Sequence, residues 1–170
     1  MENASRALIM AASVLLGIMI ISVGVALFNT FSEFSRDTLE KVDEKKITEW
    51  NNNYLKYYGN ITTEKNGKEI SKPIEVTAHD IVSVANLAKQ NNENYELQNQ
   101  NSYNENTYYV QVKVEKERNF EKKSEQDKNK FLQENSLTEA NETKYYKCTE
   151  VKISEVTKRV IYIEFIDYEK

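Results

Sequence analysis

With a single histidine and a single cysteine, the chemistry open to this chain is narrow. His79 has no second histidine and no nearby cysteine with which to share a metal ion. It reads as a first-turn helix residue near the surface. Cys148 lies in a strand-like run and reads as a small apolar filler. Standing alone, it can close no internal disulfide. Carboxylate pairs such as Asp37/Glu40 and Glu121/Glu125 sit inside charge runs, the pattern of a solvated face. The phosphate-binding glycine loops, the His-Glu-x-x-His helix, Cys-x-x-Cys and the Gly-x-Ser-x-Gly elbow are all absent from the sequence. No nucleophile, base and orienting group fall together. The expectation is a protein that is not an enzyme, with no catalytic residues, no cofactor and no metal.

Charge and composition exclude more. A net charge of -4 argues against nucleic acid, which selects a basic face. Arg118, Lys122 and Lys123 form a small basic cluster, diluted by Glu115, Glu117 and Glu121. Asn60-Ile61-Thr62 and Asn141-Glu142-Thr143 match the glycosylation acceptor, as chance allows in so asparagine-rich a chain. Eleven tyrosines suit a half-buried sheet with one wet edge.

The element that positions everything else is residues 7–28, free of charge and proline. About 22 residues make ~33 Å of helix, enough to cross a ~30 Å hydrocarbon layer. A cleaved signal peptide would have a shorter apolar run and a small-x-small site. A buried helix would show a polar stripe. The expectation is a retained single-pass membrane helix in contact with lipid, with residues 1–34 as anchor and interface and 35–170 as an α+β domain. Ser13-x-x-x-Gly17 and Ser22-x-x-x-Ala26, with Gly24, are small-residue positions that let a neighbouring helix come close.

Nothing breaks the helical pattern before Gly59. Phe28, Phe31 and Phe34 step by three, as interface aromatics do. Leu39, Val42, Ile47, Trp50, Tyr54 and Tyr57 continue at three- to four-residue spacing, an amphipathic stripe facing a partner surface. Asn51-Asn52-Asn53 is poor helix material, a place to fray or bend. One helix over residues 4–58 would be on the order of 80 Å long, with 35–58 continuous with the anchor.

This layout resembles type IV pilins and pseudopilins, whose long N-terminal helix is apolar in its first half and lies on an antiparallel sheet in its second. The family's peptidase site, a short basic leader ending in glycine, does not precede the apolar run. Glu2 is the only candidate for the family's acidic residue. The opening Met1-Glu2-Asn3-Ala4-Ser5-Arg6-Ala7-Leu8 also resembles that of small membrane-anchored bacterial proteins. The pilin-like resemblance implies a homo-oligomer or filament built through the N-terminal helix, without the usual maturation step. Counting bases alone (Arg36, Lys41, Lys45, Lys46) would hold the body inside the cell. The interleaved acids blur that field, and the resemblance implies an extracytoplasmic body. The alternative is a monomeric tethered domain that binds a protein or envelope ligand through its tyrosines and the 91–106 loop.

Downstream, Asn66-Gly67 predicts a hairpin turn. Thr77 caps a helix whose stripe is Ile81, Val84, Ala85 and Ala88. Residues 91–106 read as an exposed loop with little to bury. Residues 107–115, 144–155 and 158–167 predict an antiparallel sheet of three or so strands, the last strand central. Tyr108, Val110, Val112 and Val114 form the buried face of the first strand. Residues 115–130 read as solvated, with a short helix over 126–135.

Overall fold

The computed structural model describes residues 2–65, 68–139 and 142–168. The chain divides into two compact units, Met1–Lys46 and Ile47–Lys170. Helix α1 (Glu2–Leu55) is unbroken, and its last turns belong to the second unit. None of the described residues of the first unit is buried: Leu8, Val14, Leu15, Phe28 and Phe34 are all exposed. α1 is one helix long and apolar enough to cross a membrane, with none of its most apolar window buried.

The second unit is α+β. After α1 the chain turns at Gly59, whose φ of 120° is a conformation that side-chain-bearing residues rarely adopt. Strands β1 (Asn60–Lys65) and β2 (Lys68–Pro73) pair antiparallel as a separate two-stranded sheet. The expected Asn66-Gly67 turn lies outside the described residues. Strand β3 (Val76–Thr77) leads into α2 (Ala78–Asn94). Thr77 caps α2 as its sequence suggests. Its hydroxyl accepts the Asp80 N–H at 3.2 Å, and the Asp80 carboxylate accepts the Thr77 N–H at 3.0 Å. Strand β4 (Gln111–Val114), a 3-10 turn (Phe120–Lys122), α3 (Glu125–Asn135, capped by Ser124), β5 (Tyr145–Ile153) and β6 (Val160–Asp167) complete the chain.

The main sheet has the order β3-β5-β6-β4. β6 is central, as its apolar residues on both faces require. The expected small sheet of three or so strands has four, and it is mixed, not wholly antiparallel: β4 runs parallel to β6 while β5 and β3 are antiparallel. A hairpin between β5 and β6 places the doubly apolar strand inside, and β4 then closes the far side in the parallel sense.

Ile81, Val84, Ala85 and Ala88 of α2 pack with Val112, Val114, Ile163 and Phe165 of the sheet. Tyr54 is fully buried in that core, and Trp50 and Tyr57 pack against it. Tyr57 meets Phe165 edge-on, ring centroids 6.3 Å apart. From α3, Phe131 meets Phe120 at 4.9 Å and Tyr146 at 6.0 Å.

The asparagine run does not fray α1. Asn51 makes the tightest tie between this helix and the sheet. Its amide donates to the Lys158 carbonyl and its carbonyl accepts from the Val160 N–H, both at 2.8 Å. It thus closes the turn before β6, where Lys158 has a φ of 58°. Asn51→Ala removes both bonds, each worth about 1 kcal/mol. The full-length protein in detergent is expected to lose roughly 1–2 kcal/mol in thermal unfolding, with Asn51→Asp, which keeps one acceptor, in between. An unchanged melting curve for Asn51→Ala would remove this tie from the account.

Candidate functional site

Two surfaces offer something a partner could read, one in each unit. The first is α1. Ser13 and Ser22 return their hydroxyls to the carbonyls of Met10 and Ile18, both at 2.8 Å. Their polar atoms are thereby satisfied inside the helix. A Cβ added at Gly17 or Gly24 would meet nothing within 4 Å. At about 100° per residue, Ser13, Gly17 and Gly24 share a face about 40° wide, while Ser22 and Ala26 lie on the opposite side. Continued along the helix, Phe31 and Val42 fall on the Ser13 face, and Leu39 lies about 40° beyond its edge. Leu39 is 63% and Val42 42% exposed. They lie in the first unit, and Ile47, Trp50, Tyr54 and Tyr57 lie in the second. Of that second group Trp50, Tyr54 and Tyr57 join the core, and Ile47 is half-buried.

The second surface gathers around Arg159. Its guanidinium carbon stands 4.3 Å from the Trp50 ring centroid, 5.1 Å from Tyr108 and 5.5 Å from Tyr95. It donates to the Tyr95 hydroxyl at 3.0 Å and to the Asn91 side-chain carbonyl at 3.2 Å. Tyr95 and Tyr108 stack at 4.6 Å while remaining 45% and 41% exposed. Among the described residues no carboxylate pairs with Arg159. Cation–π contacts and two hydrogen bonds hold the group in place.

Behind this surface, side chains close the outer edge of β4. Asn92 takes the part of a missing strand: its carbonyl accepts the Val110 N–H at 2.8 Å and its amide donates to the Val110 carbonyl at 2.9 Å. Asn91 donates to the Tyr108 carbonyl at 2.6 Å. The Glu121 carboxylate accepts the Val112 N–H at 2.9 Å and the Tyr109 hydroxyl at 2.7 Å. Three expectations are corrected here. Asn91 and Asn92 are buried, not part of an exposed loop, because the strand edge needs their amides. Glu121 and Lys128 are buried within the charge-dense stretch; Lys128 donates to Asn86 at 2.6 Å. β4 is covered on both faces, since Tyr109 and Gln111 are buried as well as Val110 and Val112. Periodicity cannot announce a buried charge, and Arg159, Tyr95 and Tyr108 meet only through the fold.

His79 is exposed. Cys148 is half-buried, and burial pushes its thiol up to about 12. Among the described residues no three His, Cys, Asp or Glu side chains group to hold a metal ion. Compared with known families, curated proteins and solved structures, the chain matches none of them.

Burial raises the Glu121 carboxyl above the ordinary glutamate range by more than its hydrogen bonds lower it. A group whose folded value exceeds its unfolded one supports folding fully below the ordinary range. That support is lost as pH rises through the raised value. The full-length protein in detergent is expected to lose melting temperature over that window, and Glu121→Gln, which cannot ionise, to lose this part of the slope. A difference between parent and variant that stays flat with pH would refute the assignment.

Proposed function

We propose that this chain is a single-pass, membrane-anchored structural protein that assembles with copies of itself through α1. Residues 47–170 are then displayed on the extracytoplasmic side, in a pilin-like layout. One observation carries the reading. The membrane-length helix is uncovered along its whole apolar stretch, and its small residues occupy two opposite faces. One such face would suit a closed pair. Two opposite faces let each helix take a neighbour on either side, the arrangement that grows beyond a dimer. In lipid the contact relies on close backbone approach, and small residues permit it. The role is structural, with no chemistry asked of the side chains.

A second reading, a monomeric tethered domain that captures a protein or envelope ligand, is favoured by the exposed Tyr95–Tyr108 stack. Gly17 separates the two. A Cβ added there meets nothing within 4 Å, so a change in assembly size in Gly17→Leu reports on a neighbour. Self-assembly predicts that mild detergent extracts a species of many copies, and that Gly17→Leu shifts it to smaller ones with helix content unchanged. Light scattering after gel filtration reads the result. An assembly of unaltered size in the variant would overturn the reading in favour of the tethered domain.

A further inference from the structure

The fold sorts the tyrosines by what can reach them. Tyr54, Tyr109 and Tyr146 are fully buried. Among the described residues two tyrosine pairs bring their rings together. In one, Tyr103 and Tyr162 stand 5.1 Å apart with their planes at 51°, and the Tyr103 hydroxyl accepts from Lys152 at 2.6 Å. Tyr162 is only 8% exposed, so a reagent in water meets one ring of this pair and not the other. In the second, Tyr95 and Tyr108 stack at 4.6 Å with 23° between their planes, and both rings face solvent.

The stack is fixed from both ends. Asn91, itself buried, holds the two backbones. Its main-chain carbonyl accepts the Tyr95 N–H at 3.1 Å, and its side-chain amide donates to the Tyr108 carbonyl at 2.6 Å. Arg159 donates to the Tyr95 hydroxyl at 3.0 Å and stands 5.1 Å from the Tyr108 ring centroid. A guanidinium keeps its protons and cannot take one from a phenol. A proton lost from either ring therefore goes to water, which the exposure of both rings allows. Two phenols stacked this closely have the geometry in which phenoxyl radicals couple, ortho carbon to ortho carbon. Held proximity favours that step over the encounter of separate molecules. All of these groups lie in the second unit.

We propose that Tyr95 and Tyr108 form an oxidative coupling site, joined as dityrosine within one chain by a one-electron oxidant of the haem peroxidase class acting with hydrogen peroxide. Each phenol gives up one electron and one proton. The two radicals form a carbon–carbon bond between ortho carbons, and each ortho hydrogen passes to its own ring oxygen as the phenols reform. The two electrons and two protons reduce one hydrogen peroxide to two waters. The new bond closes residues 95–108 into a ring and staples the segment leading into the sealed edge of β4, which removes freedom from the unfolded chain. The coupling needs no second copy, so it stands or falls apart from self-assembly.

Full-length protein in detergent, treated with a haem peroxidase and hydrogen peroxide, tests it. Dityrosine fluorescence should appear while the chain still runs as one copy on a denaturing gel. Mass spectrometry of the digest should find Tyr95 linked to Tyr108. Tyr95→Phe and Tyr108→Phe keep the ring and remove the phenol, and each should abolish the linked peptide and most of the fluorescence. Circular dichroism melting checks that both variants fold. Tyr58→Phe should change neither readout, although Tyr58 is 49% exposed and open to the same oxidant. An absent Tyr95–Tyr108 peptide would overturn the proposal. So would linkage mainly between chains, a product spread evenly over the other tyrosines, or fluorescence that survives both variants.

Discussion

A lipid interior supplies no hydrogen-bond partner to a backbone, so a segment that crosses it must satisfy its own amides and carbonyls. Residues 7–28 meet that demand as part of α1, and no proline or turn ends the ladder before Leu55. Serines that would otherwise present polar atoms bond to preceding carbonyls. The same helix, in its last turns, changes from an exposed apolar surface to one bearing Trp50 and Tyr54. There it becomes part of a protein core.

The second unit solves a different problem with similar means. A four-stranded sheet has two edges, and an edge invites unwanted pairing. On the β4 side, Asn91, Asn92 and Glu121 supply the donors and acceptors of a strand that is not there. On the other side, β3 covers only the first two residues of β5. Beyond them, Lys147, Lys152 and the register shifts near Cys148 and Ile153 break the regularity an added strand would need. Burying Glu121 is costly on its own. It persists because two donors meet it within the core, one of them a main-chain N–H that would otherwise be orphaned.

Much of this was legible beforehand, and the reasons are specific. The apolar run, the Thr77 cap, the α2 stripe and the doubly apolar β6 are local or periodic signals, and each survived into the fold. The sense of β4 was not legible. It depends on which strand is placed between which, a choice made by the whole chain. Nor were the buried polar groups. Asn91, Asn92, Glu121 and Lys128 look like solvent-facing residues because composition records polarity and not partners. Asn51 is the clearest instance. By helix propensity it is a weak point, and in the fold it pins the turn that starts β6. Arg159 belongs to the same class: its neighbours Trp50, Tyr95 and Tyr108 come from three distant stretches of sequence.

The half-buried state of Cys148 has a bearing on its reactivity. A thiol whose ionisation lies near 12 offers almost no thiolate at neutral pH, and thiolate is the form that attacks disulfides and oxidants. Burial thus keeps the lone sulfur in the form least given to disulfide exchange.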